Sequence, residues 1–454
     1  MDRDVQMDLE GHLVDELQGR MHLFQTWEDK QVLVHQVLRA VLEKEPEGSL
    51  RSARESLSSE HLRTEFIDAF LSYGLIQDLL CDIEVEDVII NALNEIYIHH
   101  GQKGFMATGK RFASLRELDL FLRKLLLFAN RAKKTKIMNL ELPHLDGRVN
   151  IAHSPFGPQI TITKAKLTPL SIIDLIRRGS LNYEVAAQLW LYVDGLSIRP
   201  ANIIIAGGPG VGKTTLLNAL FSFIPQRERL VVIEDTLELN TYLDESCSRL
   251  ESDEELSLAD LVKNSLRMRP ERIVVGEVRG AEARDLMTAV NIGKYCFGTI
   301  HALTSREAIT RLQNEPMNIP ETLVNLIDVF IIVKRYHVGH RVFRMVDEVS
   351  ETSGMEQVKV LLSQIYKYHY ESNKIRPVAA STVYRDRLAQ QAGITPQEII
   401  NEVRLRAFIL QQLDQRNMST IKEVTTFCRA YNENRDETIA SLGYDRDKLL
   451  KGKI

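Results

Sequence analysis

The chain has 454 residues, 44% hydrophobic and 26% charged, which is enough for about three domains with substantial cores. A formal net charge of −5 and a pI of about 6.2 give no global sign of a nucleic-acid binder. Cys81, Cys247, Cys296 and Cys428 lie far apart with no C-x-x-C pair, which argues against a zinc site or a disulfide framework and fits a reducing cytoplasm. No uncharged apolar run approaches the roughly 18 residues of a membrane span, and the opening Met-Asp-Arg-Asp-Val lacks the basic-then-apolar order of a signal peptide, so the expectation is a soluble protein able to dock on a membrane partner.

Residues 1–75 read as helical, with apolar spacing in 22–41 (Leu23, Trp27, Val32, Val34, Val37, Leu38, Val41), and are acidic, with 8 Lys/Arg against 15 Asp/Glu. Within them 45–59, carrying Pro46 and Gly48, looks like a linker or exposed turn. Residues 76–165 have an α/β texture: Val85–Ile90, Glu95–His99, Arg148–Ala152 and Gln159–Thr163 look like strands, with a long helix at Ser114–Ala132. Residues 166–200 read as a helical connector broken at Gly179 and Gly195.

Asn202–Ala206 is then an apolar strand, followed by a glycine loop and a helix at Thr215–Phe223. Gly207, Gly212, Lys213 and Thr214 fit G-x-x-x-x-G-K-[ST], in which loop N–H groups wrap phosphates, the lysine reaches the terminal ones and the threonine hydroxyl holds Mg²⁺. The whole run Gly207, Gly208, Pro209, Gly210, Val211, Gly212, Lys213, Thr214 and Thr215 is therefore the expected nucleotide cradle.

Short apolar strands recur at Leu230–Ile233, Arg272–Val275, Cys296–Ile300 and Val329–Val333, separated by helical stretches, which predicts a mostly parallel sheet covered on both faces with ligands at its carboxyl end. A hairpin turning near Gly339 returns through 341–346, and from 355 onward the chain reads as predominantly helical. Thr395-Pro-Gln-Glu398 is a capping box opening a helix whose stripe is Ile399, Ile400, Val403, Ala407, Leu410 and Leu413, core or partner surface.

The chemistry gathers at strand ends. Glu277 ends an apolar strand where P-loop enzymes place the carboxylate that orients Mg²⁺ or its water. Glu234, Asp235 and Glu238 follow another strand, and one of them is expected to orient or deprotonate the attacking water. His301 stands at a third strand end, within reach of a γ-phosphate. Lys294 precedes its strand and is expected to be structural or at a subunit contact.

Taken in order, Gly207–Thr215, Ile233–Glu238, Leu266–Pro270, Ile273–Gly280 and Gly298–Ala302 resemble the type II/type IV secretion and pilus-assembly ATPases, closest to the CpaF/Tad type, with 395–435 similar to the helical tail of archaeal pilus and flagellar motor ATPases. The resemblance implies a RecA-like P-loop ATPase domain at 201–350 preceded by the α/β N-terminal domain at 76–165, with helical extensions at 1–75 and 351–454. It implies ATP and Mg²⁺ as cofactors, Lys213 and Thr214 on phosphate and metal, Glu238 as catalytic base, Glu277 as the Walker B acid on Mg²⁺, His301 as the histidine-box residue, and Arg148, with Arg249 and Arg269, as cations around the γ-phosphate.

The family forms homohexameric rings at the cytoplasmic face of the inner membrane, acting on pilin-like subunits through a polytopic platform protein. Two positions depart from its pattern: Lys294 follows Gly293 where a histidine is usual, and Ile162-Thr163-Lys164 replaces Ile-Arg-Lys, so that Arg148 or Lys164 must carry the missing arginine's role or turnover is slow. The implied function is a motor ATPase for pilus-like assembly, retraction or secretion. A DNA-translocating RecA-like ATPase and a low-turnover nucleotide-dependent regulator are the alternatives.

Overall fold

The computed structural model describes residues 1–22, 25–43, 49–101, 103–131, 135–142, 147–164, 169–239, 246–252, 255–338, 341–357, 359–381 and 383–451. The chain divides into two compact units, 1–167 with 340–342 and 168–339 with 343–454.

In the first unit a six-stranded sheet has the order β3-β2-β1-β6-β5-β4, with β1 Val85–Asn91, β2 Tyr97–His100, β3 Gly104–Ala107, β4 Ile137–Leu142, β5 Gly147–Ser154 and β6 Gly157–Lys164. Every pairing is antiparallel, so one face can be wet while Val88, Ile90, Val149, Ile151, Ile160 and Ile162 line the other. Helix Leu115–Phe128 buries Leu118, Leu122 and Leu125 in the same core. The helices Arg3–Leu17, Trp27–Glu43 and Glu60–Leu71 join it too: Leu9, Leu13, Val34, Leu38 and Phe70 belong to that one cluster. Buried Lys124 lies 3.5 Å from Glu10 and over the Phe70 ring, tying helix Leu115–Phe128 to helices Arg3–Leu17 and Glu60–Leu71. The expected linker at 45–59 instead holds helix Ser49–Ser56, and β3 and β4 are strands that the sequence reading lacked.

The second unit carries a nine-stranded sheet ordered β15-β14-β13-β12-β7-β11-β10-β8-β9. Its strands are β7 Ile203–Ala206, β8 Leu230–Glu234, β9 Cys247–Glu251, β10 Arg272–Val275, β11 Tyr295–Ile300, β12 Val329–Val338, β13 Arg341–Glu356, β14 Lys359–His369 and β15 Lys374–Pro377. From β12 to β9 all pairings are parallel. The continuous apolar runs follow from double-sided burial: Ile203 and Ile205 face one core and Ile204 and Ala206 the other, as Leu230 and Val232 oppose Val231 and Ile233. In β7-β11-β10, one strand separates the strand that feeds the glycine loop from the strand that ends in the acid, which is the RecA-like P-loop layout expected from the sequence.

Two sequence expectations change here. The helical connector expected at 166–200 is built into the core of the second unit: helix Tyr183–Asp194 is buried from Val185 onward, Trp190 stacks on Phe223 with centroids 5.2 Å apart, and Asp194 pairs with buried Arg406 at 2.9 Å. The stretch after 350 is not helical until Val383: β13, β14 and β15 extend the sheet to Pro377. β13 and β14 are long, and register shifts at Val349/Ser350 and Thr352/Gly354 interrupt their two-residue alternation, which hides them from a periodicity reading. The capping box at Thr395 and Glu398 is formed, and Ile399, Leu410 and Leu413 are core. Gly339, the expected hairpin tip, lies outside the described residues.

Candidate nucleotide site

β7 ends at Ala206, and the chain turns through Gly207–Gly212 into helix Lys213–Leu220. A Cβ at Gly207 would stand 2.4 Å from the Val333 carbonyl oxygen, so the strand-to-loop junction admits no side chain. Gly210 and Gly212 take φ of 64° and 99°, the left-handed region that lets consecutive N–H groups turn inward toward the helix N-terminus. Val211 is buried and anchors the loop, Pro209 is exposed at its rim, and Thr214 and Thr215 stand half-buried on the first helical turn.

Lys213 is 9% exposed and folds back on the loop, its Nζ donating to the carbonyl oxygens of Gly207 at 3.1 Å and Gly208 at 3.0 Å. Burial lowers its pKa, and the carboxylates of Glu277 and Glu238 act in the opposite direction. His301, just beyond β11, places Nδ1 3.4 Å from that Nζ and 3.2 Å from the Gly207 oxygen, and Nε2 3.2 Å from Glu277 Oε1. Three separate strands thus deliver lysine, histidine and acid to one point.

The three acids at the end of β8 and just past it have different surroundings. Glu234 is 3% exposed and its carboxylate accepts from the backbone N–H groups of Glu238 (3.1 Å) and Leu239 (3.0 Å), while burial pushes its pKa up to about 7. Asp235 accepts from Ser252 Oγ at 2.7 Å and pairs with Arg279. Glu238 is solvent-facing and close enough for Lys213 to feel its charge. Glu234 fixes the loop, Asp235 is committed to neighbours, and Glu238 is the acid presented to the site.

Two cations beside the loop went unread in the sequence. β12 continues past Ala206 of its parallel neighbour, and the Arg335 guanidinium comes within 3.6 Å of where a Gly210 Cβ would stand. Arg344, on β13, donates from Nε to the Gly210 oxygen at 3.1 Å. The signal was arginine on both arms of a predicted hairpin, but it becomes meaningful only once β12 is known to pair with β7.

Two of the expected cations lie elsewhere within the second unit. Arg249 is exposed on edge strand β9, four strands and about 19 Å across the sheet from β7. Arg269, with φ of 54°, precedes β10 and so sits at the amino end of the sheet, opposite the glycine loop. Arg148 and Lys164 belong to the first unit. Arg148 is exposed on β5, opposite Thr163 of β6 in register. Lys164 donates to the Asp82 carbonyl at 2.6 Å, and Thr163 Oγ1 donates to Asp87 at 2.7 Å, so both residues at the departed position are engaged within their own unit. Lys294 N–H donates to the Ala289 oxygen and Gly293 N–H to Val290, the closure of a helix C-terminus in which Gly293 supplies φ of 90°.

These residues fit a magnesium nucleotide. Gly207 admits no side chain and Gly210 and Gly212 hold left-handed backbone, Lys213 supplies the charge, and Thr214 and Glu277 are hard oxygen donors that would hold Mg²⁺ beside phosphate. Among the described residues no cluster of three or more His, Cys, Asp or Glu could hold a metal ion.

Residues 129–426, well over half of the chain, match the family described as type II/IV secretion system protein. The chain belongs to that family. With the phosphate loop, this makes it a P-loop ATP hydrolase. The uncharacterised protein MJ0900 of Methanocaldococcus jannaschii is 30% identical over 80% of this chain and 68% of its own length. A second protein of that archaeon, MJ1287, is 35% identical over 53% of this chain and 90% of its own. The probable conjugal transfer protein TrbB of Sinorhizobium fredii is 29% identical over 58% of this chain and 85% of its own. Among the described residues of this secretion-family ATPase, no helix is long and apolar enough to cross a membrane.

Proposed function

We propose that the chain is the motor ATPase of a pilus-like or secretion machine, working as a homohexameric ring on a polytopic membrane platform at the cytoplasmic face and acting on pilin-like subunits indirectly. The observation that carries this reading is the convergence of Lys213, His301 and Glu277 around a glycine cradle, with Glu238 presented to the same point, in a member of the type II/IV secretion family. Lys213 and the loop N–H groups hold the phosphates, Thr214 and Glu277 hold the metal and its water, and Glu238 takes the proton from attacking water. The metal supplies charge neutralisation between the phosphates when bound. An ATP-dependent shift of the purified chain to a six-subunit mass, with hydrolysis stimulated by the platform protein's cytoplasmic domain, tests the reading; a monomer indifferent to both overturns it.

A further inference from the structure

The carboxyl ends of β7 and β11 lead to the glycine loop and His301, and their amino ends border a separate cavity of about 580 Å³. Its wall comes from the turn at 195–200, the starts of β7 and β11, the segment before β12 and helix Val383–Ala392. That volume falls within the roughly 300–1,000 Å³ of small-molecule sites. The lining is unbalanced in charge, with Arg199, Lys294 and Arg387 against Asp328.

Asp328 is 7% exposed and already committed: Oδ1 accepts from Arg199 at 3.2 Å and Oδ2 from the Asn202 N–H at 2.9 Å. Among the described residues no carboxylate lies in salt-bridge range of Lys294 or Arg387, although Arg387 feels the more distant charge of Asp328. After the Arg199–Asp328 pair is formed, two cations still face one concave space.

The turn that delivers Arg199 is strained. Gly195, Leu196 and Ser197 take φ of 50°, 57° and 59° in succession, and a Cβ at Gly195 would stand 2.3 Å from Pro200 N. Two consecutive L-residues stay left-handed only where the surroundings over-determine them, and such strain concentrates at binding sites. At the other wall, the left-handed Gly293 closes its helix and sets the direction of Lys294.

We propose that this cavity is a second binding site, for a small soluble phosphate-bearing anion held by Lys294 and Arg387, and that its occupancy regulates the ATPase through β7 and β11. Asn202 joins the two strands at the cavity wall: its Oδ1 accepts from the Cys296 N–H at 3.0 Å while its own N–H donates to Asp328. Five residues on, β7 reaches Gly207, and β11 runs from the Lys294 edge to His301, so a shift at the cavity is transmitted along two buried strands to the groups around Lys213. The regulatory part rests on the ATPase reading; the binding part does not.

The test separates them. Inorganic pyrophosphate is titrated calorimetrically into the full chain carrying Lys213→Ala, which weakens the glycine loop as a competing site. One site is expected to remain, and adding Lys294→Ala with Arg387→Ala should weaken it at least tenfold. No binding to a folded Lys213→Ala protein, or affinity unaltered by the double substitution, overturns the site. On the otherwise native chain at saturating ATP, pyrophosphate is expected to change turnover, and the double substitution to abolish that change; an unchanged response overturns the regulatory part alone. Co-sedimentation with phosphatidylglycerol vesicles distinguishes a lipid source: equal sedimentation of native and doubly substituted chains supports a soluble ligand, whereas loss in the doubly substituted chain alone overturns it in favour of a headgroup.

Discussion

His301 stands between an acid and a lysine, with Nε2 3.2 Å from Glu277 Oε1 and Nδ1 3.4 Å from Lys213 Nζ. A carboxylate only accepts, so Nε2 carries a proton in this arrangement. Nδ1 then accepts from Lys213 Nζ, so the ring links that lysine to Glu277.

His301→Ala is expected to lower turnover about 10²-fold, the lower end of what a positioned proton-handling group contributes, while nucleotide affinity stays within about threefold because the loop and Lys213 remain. Steady-state hydrolysis and fluorescent-nucleotide binding check this. Affinity falling in step with turnover would show that the histidine supports binding instead.

Lys213→Ala and Glu238→Gln should fail differently. Removing the Nζ deletes the charge that meets the phosphates, so binding and hydrolysis both go. The glutamine keeps the loop shape, which is set by Glu234 holding the N–H groups of Glu238 and Leu239, and the expected result is bound, uncleaved ATP. Single-turnover measurement decides it, and native turnover in Glu238→Gln removes Glu238 from water activation.

Glu234 supplies a pH signature. Its folded pKa of about 7 lies above the ordinary carboxyl value of 4.5 because burial disfavours the charge. Between those values the folded state binds more protons than the unfolded state, so the group's contribution to stability is full below about 4.5 and falls as pH rises through about 7. The penalty above that range is on the order of 3 kcal/mol. Glu234→Gln, which can still accept from both N–H groups, should flatten this part of the stability profile and raise the melting temperature at pH 8 relative to the native chain. A profile that keeps its slope in the glutamine variant places the titration elsewhere.

The apolar strands and the glycine loop were legible in the sequence because β7, β8 and β10 are buried on both faces and built mostly of branched aliphatics, while Gly207, Gly210 and Gly212 answer to steric exclusion or left-handed backbone. What distinguishes Glu234 from Glu238 was legible only through the family resemblance: the two acids stand four residues apart in one acidic run, and the fold buries one and exposes the other. Arg335 and Arg344 were hidden for a topological reason, since they stand more than 120 residues from Gly210 and reach it through the pairing of β12 with β7. The strands beyond 355 were hidden by bulges that break their alternation, and the N-terminal helices gave no sequence signal that they complete the core under β1.

The cation that meets the γ-phosphate divides the candidates by unit. Arg335 and Arg344 flank Gly210 of their own chain, whereas Arg148 lies on the exposed side of β5 in the other compact unit, next to buried Val149. A finger is worth about 10³–10⁵ in rate, so single alanine variants rank the three. We expect Arg148→Ala to lose activity on that scale and Arg344→Ala to lose about tenfold, because Arg344 already spends its Nε on the Gly210 oxygen and shapes the loop from outside. Mixing experiments then assign the arginine to its chain. In rings shown to contain both Lys213→Ala and Arg148→Ala subunits, a finger acting across a junction restores hydrolysis wherever an intact loop meets an intact arginine. Rings mixed from Lys213→Ala and Arg344→Ala subunits should recover nothing beyond the residual activity of the Arg344→Ala subunits, since loop and arginine belong to the same chain. Recovery in the second mixture but not the first would reverse the assignment, and full activity of Arg148→Ala alone would remove Arg148 from the site.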